Sequence, residues 1–244
     1  MCEQEQIGGN IVNSTPDLVS VAALIGDPSR AMILVRLLGG RAVPASELAA
    51  AAKITPQTAS AHLSKLVNGG LLTVESHGRH RYYRLANEGV AHALETLNAI
   101  APGRPLRSLR ESDESRRLRF ARTCYDHLAG EVGVAVTDQL LEQGALRPQG
   151  RDYELTATGD EVFARLGIRV SDLVGERRQF ARQCLDWSER RYHLAGALGA
   201  ALLARLTDLD WIERVGGSRA VRVTARGREG LQVQLGLVLH DSGA

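Results

Sequence analysis

The chain has 244 residues, is 44% hydrophobic and carries a formal net charge of only +2. That length allows about two domains with a sizeable core, and the near-neutral balance excludes a uniformly basic nucleic-acid coat, so any affinity for nucleic acid must come from a local patch. No window approaches about twenty apolar residues and no signal sequence opens the chain, so a soluble cytoplasmic protein with no membrane partner is expected; three cysteines, an odd number, exclude a structural disulfide framework.

Residues 1–14 are polar and rich in Gly and Asn, and read as a flexible tail. Thr15-Pro16-Asp17 starts a first helix that reaches residue 25. Asp27-Pro28 starts a second, with its apolar face between Ala31 and Leu38 and its stop at Gly39-Gly40. Residues 46–52 form a short helix, Lys53-Ile54 is a turn, and Thr55-Pro56 opens the next helix, which ends at Asn68-Gly69-Gly70. Three helices in this stretch thus start with a capping residue followed by proline.

The helix after Thr55 carries the most information. Ala59, Leu63, Leu66 and Val67 fall on one face; Gln57, Thr58, Ala61, Ser64 and Lys65 form the other. The second face is short, polar and nearly free of carboxylates, which suits a helix that must approach base edges in a DNA major groove. Two β-prone runs follow, residues 71–75 and 79–85, around a turn at Ser76-His77-Gly78, and the returning run carries Arg79, His80, Arg81 and Arg84. A recognition helix followed by a basic hairpin is a winged helix-turn-helix. Between residues 53 and 84 the basic side chains Lys53, Lys65, Arg79, Arg81 and Arg84 face only Glu75, so positive charge is concentrated where a groove needs it. A further helix at 87–100 places Val90, Leu94 and Leu97 on one face.

The run Ser60-Ala61-His62-Leu63-Ser64-Lys65-Leu66, followed by Gly70-Leu71-Leu72 and the wing, resembles the ArsR-type (arsenical-resistance) family of transcriptional regulators over about residues 18–100. The resemblance implies a homodimer paired through its first and last helices and reading a two-fold symmetric operator in double-stranded DNA, with repression as the favoured outcome. The family's Ser-x-His pattern adds Ser60 and His62 to the DNA-contact set of Gln57, Thr58, Ala61, Ser64 and Lys65 on the helix and Arg79 and Arg81 on the wing.

Ala101-Pro102-Gly103-Arg104-Pro105 is a linker signal, and residues 107–112 continue it without apolar periodicity. The expected layout is a DNA-binding domain at 15–100, a linker at 101–113 and a second domain at 114–244. That second domain contains a repeat. Phe120-Ala121-Arg122-Thr123-Cys124-Tyr125-Asp126 recurs as Phe180-Ala181-Arg182-Gln183-Cys184-Leu185-Asp186, and His127-Leu128-Ala129-Gly130 recurs as His193-Leu194-Ala195-Gly196 after a six-residue insertion. Leu155-Thr156-Ala157-Thr158-Gly159 recurs as Val223-Thr224-Ala225-Arg226-Gly227, and Leu166-Gly167-Ile168 as Leu235-Gly236-Leu237.

Each copy, at about 114–170 and 171–240, is predicted as helix, helix, hairpin, helix. The apolar helices lie at 132–143 and 198–206, the hairpins at 145–155 and 211–223, and the closing helices start near Thr158 and Thr224. Two units are too few for an open solenoid, so a closed pair with a pseudo-two-fold relation is expected, with its interface a natural place for a pocket. The overall class is mainly α with small β-hairpins (α+β): a winged helix-turn-helix followed by two tandem winged-helix-like units. The second hairpin region is basic (Arg214, Arg219, Arg222, Arg226, Arg228), which fits either auxiliary phosphate contact or ordinary solvated surface. The block from Cys124 to Gly130 and the block from Cys184 to Arg191 are similar to the C-terminal half of a longer ArsR-type subgroup, which implies an extra effector or assembly domain for an unidentified small effector.

In the ArsR-type family the heavy-metal site uses a cysteine pair on the first helix of the helix-turn-helix; residues 46–52 have no thiol. The family's zinc site on the last helix is matched only by His92 and Glu95, with Asn87 and Gly89 at the partner positions. No cofactor follows from those patterns. The repeat itself offers Cys124, Asp126 and His127 in one copy and Cys184, Asp186 and His193 in the other; Cys and His three apart share a helix face. Together they would supply two thiolates and two imidazoles, suited to zinc, copper(I) or arsenite, or a thiol switch joining Cys124 to Cys184. Buried packing and a small-molecule pocket account for the same residues, and a ligand-free architectural DNA-binding protein remains an alternative. Trp187 with Arg190 or Arg191 suits either an anion pocket or an intrahelical ion-pair network around an indole. No catalytic constellation stands out, so an enzyme is not expected.

Overall fold

The computed structural model describes residues 15–78, 80–103, 108–173, 175 and 178–239. Its first half is built from α1 (Leu18–Ile25), α2 (Pro28–Leu37), β1 (Val43–Pro44), α3 (Ala45–Ala52), α4 (Pro56–Asn68), β2 (Leu72–His77), β3 (His80–Leu85) and α5 (Glu88–Ile100). Asp17, Asp27, Thr55 and Asn87 cap α1, α2, α4 and α5, each through a side-chain oxygen that accepts from the backbone N–H three residues on. Ile33, Leu34, Leu37, Leu48, Leu63, Leu66, Leu72, Tyr83 and Leu85 close one core beneath these elements. The wing strands β2 and β3 pair antiparallel, and β1, a two-residue strand too short to leave a sequence signal, pairs with β3 to order the sheet β1-β3-β2.

The second half begins earlier than expected. Ser108 caps α6 (Leu109–Phe120), so the linker predicted at 101–113 is shorter. That helix has no buried residue, which is why apolar periodicity gave no sign of it. Then come β4 (Arg122–Cys124), β5 (His127–Ala129), α7 (Gly130–Glu142), β6 (Leu146–Gln149), β7 (Asp152–Leu155) and α8 (Ala157–Arg165). A 3-10 turn (Val170–Leu173) leads to β8 (Arg182–Leu185), β9 (Tyr192–Ala195), α9 (Gly196–Asp208), β10 (Ile212–Arg214), β11 (Val221–Val223) and α10 (Ala225–Leu235).

The repeating unit is therefore hairpin, helix, hairpin, helix. The expected opening helix over the Phe-Ala-Arg-x-Cys blocks is corrected to a hairpin in both copies, while the closing helices do start near Thr158 and Thr224, capped by Thr156 and Thr224. The two copies exchange strands. Tyr153 N–H donates to Ala181 O at 2.9 Å and Gln183 N–H to Arg151 O at 3.1 Å, joining β7 to β8 in the sheet β6-β7-β8-β9. The equivalent bonds, Val221 N–H to Ala121 O at 3.0 Å and Thr123 N–H to Arg219 O at 2.9 Å, tie β11 to β4. Each copy's second hairpin thus augments the other copy's first hairpin, and a single core runs through both, with Phe163, Leu140, Leu198, Leu206 and Leu231 fully buried. Gly130 and Gly196 open α7 and α9 at φ +82° and +81°, where a Cβ would stand 2.5 Å from Arg119 O and 2.6 Å from Gln179 O. A glycine at both places is what lets strand turn into helix so sharply.

The two halves are joined directly. Tyr125 N–H donates to Leu38 O at 2.7 Å, and Arg214 Nη1 donates to Gly39 O at 3.0 Å. Along α5, Glu88 pairs with Arg178 and Arg182 (both 3.2 Å), Glu95 pairs with Arg219, and Ala99 O accepts from Arg190.

Candidate functional site

The polar face of α4 stands clear of the protein. Gln57, Thr58, Ser60, Ala61, Ser64 and Lys65 are exposed, while Ala59, Leu63 and Leu66 are buried beneath them. Thr55 Oγ1 accepts from Thr58 N–H at 3.2 Å, and Pro56 occupies the first turn, so the start of the helix is held by its own sequence. His62 lies elsewhere. It is mostly covered, with Nδ1 3.4 Å from Arg30 Nη1 and 3.9 Å from Asp27 Oδ1, and Arg30 also donates to Leu24 O and Ala23 O. His62 therefore braces α4 against the corner between α1 and α2.

On the wing, Arg81 is exposed opposite Ser76; Arg79 lies outside the described residues. Arg84 is paired with Glu75 on the neighbouring strand and holds that carboxyl below its usual pKa. Four of the five arginines of the last hairpin region are also engaged within the chain, Arg214 on Gly39 O, Arg219 on Glu95, Arg222 on Glu213 and Arg228 on Leu239 O, while Arg226 is exposed. These contacts favour a structural use of that basic hairpin over a second phosphate-binding surface.

The second cluster is internal. Cys124 lies directly across from His127 in the hairpin of β4 and β5, and Cys184 directly across from His193 in the hairpin of β8 and β9. The expectation that Cys124 and His127, three apart, share a helix face is corrected: in both copies Cys and His are cross-strand neighbours, and a tight two-residue turn with Tyr125 at φ +59° makes the first pairing possible. The two hairpins meet at the pseudo-two-fold axis. One ligand atom from each of Cys124, His127, Cys184 and His193 lies within 4.8 Å of the others, and all four residues are buried. The Sγ atoms of Cys124 and Cys184 are 3.9 Å apart, and the imidazole centroids are 5.1 Å apart.

Each imidazole has a carboxylate at Nδ1: Asp126 Oδ1 at 3.2 Å for His127 and Asp186 Oδ2 at 3.6 Å for His193. The Nε2 atoms of both are buried and make no hydrogen bond, and neither does Nδ1 of His193. The Cys184 thiol and burial push the Cys124 thiol up in pKa. Burial disfavours a charged His127, but Cys124 and Asp126 outweigh it and raise it to about 9; at His193 burial prevails and lowers the pKa.

Around this cluster runs a network centred on Arg122, a residue that was not among the sequence candidates. Arg122, fully buried, donates to Asp186 Oδ1 at 2.9 Å, Leu118 O at 3.0 Å and Ser188 Oγ at 3.1 Å, and its guanidinium lies 4.4 Å from the Trp187 ring centroid. Asp186 Oδ1 also accepts from Ser188 N–H at 2.9 Å, and Oδ2 from Gly130 N–H at 2.7 Å. Burial alone would raise the Asp186 pKa; Arg122 holds it well below the carboxylate range. Residues 186–191 are a loop, so the intrahelical network and the anion pocket are both corrected: Trp187 carries Arg122, Arg190 reaches Ala99 O on α5, and Arg191 pairs with Asp138 at 2.7 Å. The only sequence signal for Arg122 was its recurrence, with Arg182, among apolar residues.

A small cavity separates the cluster from α5. Glu88, Ala91, His92 and Glu95 line it on the helix side and Cys124, His127, Arg182 and Cys184 on the other. Glu95 is buried and paired with Arg219; burial would raise its pKa, but Arg219 brings it below the usual value.

A helix-turn-helix domain model matches residues 25–75. The uncharacterized HTH-type transcriptional regulator YdfF of Bacillus subtilis is 51% identical over 213 residues, 87% of this chain and 94% of its own length, so the alignment runs through the tandem repeat. The HTH-type transcriptional regulator CmtR of Mycobacterium tuberculosis is 39% identical over 80 residues, 33% of this chain and 67% of its own. Among solved structures, that of the cadmium metal-sensor CMTR from Mycobacterium tuberculosis is 34% identical, covering 38% of this chain and all of the other, at a TM-score of 0.30.

Proposed function

The chain belongs to the ArsR-type family of winged helix-turn-helix transcriptional regulators and is a DNA-binding regulator; from that premise, we propose that it is a homodimeric repressor that reads a two-fold symmetric operator with α4 and answers to a small effector held by its tandem half. The observation that carries this reading is the exposed face of Gln57, Thr58, Ser60, Ala61, Ser64 and Lys65, short and carboxylate-free, over a buried apolar face. Leu18 and Val19 on α1 are 76% and 79% exposed and Ile100 on α5 is 74% exposed, which supports pairing of subunits through these helices. The ties between α5 and the tandem half support an effector role, because a change there reaches a pairing helix and hence the spacing of two recognition helices.

Selection of genomic fragments on the purified protein at near-physiological salt, followed by sequencing, tests the reading. A two-fold symmetric motif and dimer-sized complexes are expected; binding without a motif would replace it with architectural, phosphate-dominated binding. On the selected site, Arg81→Ala is expected to weaken all sequences alike and to lower the salt slope by about one per subunit, with Arg84→Ala nearer to the parent because Glu75 already neutralises it. Gln57→Ala is expected to relax sequence preference rather than the salt slope.

A further inference from the structure

We propose that Cys124, His127, Cys184 and His193 form a tetrahedral site for a divalent d10 cation of the zinc and cadmium class, built across the pseudo-two-fold axis and sensed by α5. The site stands on its own geometry; its part in regulation rests on the reading of the tandem half as an effector domain.

Four arguments converge. Two metal–sulfur bonds of about 2.3 Å at a tetrahedral angle place the sulfurs about 3.8 Å apart, and Cys124 and Cys184 hold theirs at 3.9 Å. Asp126 contacts Nδ1 of His127 at 3.2 Å, which orients that ring and leaves its Nε2 as the donor, and Asp186 lies on the Nδ1 side of His193 at 3.6 Å. Packing accounts for two buried thiols but not for two buried Nε2 atoms without a partner, each of which carries a desolvation cost that a metal bond would remove. A disulfide between the cysteines would leave those same nitrogens unpaired.

Charge selects the ion. Binding converts two thiols to thiolates and requires both imidazoles neutral, so it releases the two thiol protons and any proton held by His127; a divalent cation then gives an electrically neutral centre, whereas a monovalent one would leave a net negative charge buried beside Glu95. The same step puts two thiolates and an ion across the small cavity from the buried carboxylate of Glu95. Glu95, held by Arg219, is the group on α5 that meets this change in charge, and α5 receives the signal.

The experiment titrates Co2+, and then Zn2+ and Cd2+, into the reduced, metal-free full chain. One ion per chain is expected, with at least two protons released and, for cobalt, intense visible bands of a tetrahedral site with thiolate-to-metal charge transfer that zinc abolishes. Cys124→Ser/Cys184→Ser is expected to lose the charge transfer, and Asp126→Asn to weaken affinity by about 10- to 100-fold while far-ultraviolet circular dichroism stays that of the parent. Absence of thiolate charge transfer in the parent overturns the site whether or not the double variant folds, as does unchanged metal binding in that variant. Operator affinity is measured on the same samples, with a metal-dependent change of about 5- to 150-fold expected. No change, with the cobalt spectrum intact, overturns the coupling through α5; no operator binding in any state, with the spectrum intact, overturns the regulator reading and leaves the metal site standing.

Discussion

The two copies of the repeat carry the same Phe-Ala-Arg-x-Cys-x-Asp block and put its charged members to different use. In the second copy, Asp186 is buried and takes the buried Arg122 of the first copy as its partner. In the first copy, the equivalent Asp126 is partly exposed and pairs at 2.7 Å with Arg178, while Arg182, the counterpart of Arg122, turns to Glu88 on α5. The Cys and His positions stay equivalent. Duplication thus supplies a symmetric set of donors at the axis, and divergence around it locks one side into the domain and connects the other to the DNA-binding half. The six-residue insertion is what allows this: the longer loop folds over Asp186, with Asp186 N–H donating to Arg191 O at 2.8 Å and Ser188 filling the remaining lone pairs.

The locked side should dominate stability. Arg122→Ala is expected to cost about 3–5 kcal/mol in urea unfolding because it leaves Asp186 charged and unpaired. Arg122→Met with Asp186→Leu should recover most of that loss. A single-variant cost below about 1 kcal/mol would mean that the buried pair does not distinguish the copies. Where the copies are equivalent, the effects should be equal: Gly130→Ala and Gly196→Ala each place a Cβ against a carbonyl at left-handed φ, and each is expected to cost about 1–3 kcal/mol. A clear difference between the two would show that the symmetry does not extend to the helix starts.

Much of this molecule was legible before its shape was known, for identifiable reasons. The winged half announces itself because Asp17, Asp27, Thr55 and Asn87 are capping residues and three of them are accompanied by proline, so helix starts are written locally. The repeat was legible as repetition, and the four cluster residues were already grouped. Their geometry was not. Strands of three and four residues show no alternation long enough to oppose a helical reading, and a Cys and a His three apart satisfy a helix face and a tight hairpin equally well. Arg122 was passed over because its partner is 64 residues away, and α6 because a helix with no buried face has no periodicity to detect.

A smaller effect separates the two aspartates by pH. Burial would raise the pKa of Asp186, but Arg122 depresses it below the ordinary 3.8. A depressed carboxylate contributes stability that is complete above its unfolded value and is lost as pH falls through its folded value. The parent should therefore lose urea resistance more steeply below about pH 4 than Asp186→Asn does, whereas Asp126→Asn should stay closer to the parent, because Asp126 is partly exposed and water screens its pairs with His127 and Arg178. Coincident acid limbs for the parent and Asp186→Asn would assign acid unfolding to other carboxylates.

The smallest stability effect is expected where the consequence for control is greatest. Arg178 and its partners Glu88 and Asp126 are each about a quarter exposed, so water screens the ion pairs and Arg178→Ala should cost no more than about 1 kcal/mol. Yet this arginine touches the helix that opens with Glu88 and the carboxylate that orients His127. If the exposed side of the repeat is the connected side, Arg178→Ala should leave urea unfolding nearly unchanged while shrinking the metal-dependent shift in operator affinity. The opposite pattern, a large loss of stability with the shift intact, would place Arg178 with Arg122 among the residues that hold the domain together and would leave Glu95 and Arg219 as the route from the cluster to α5.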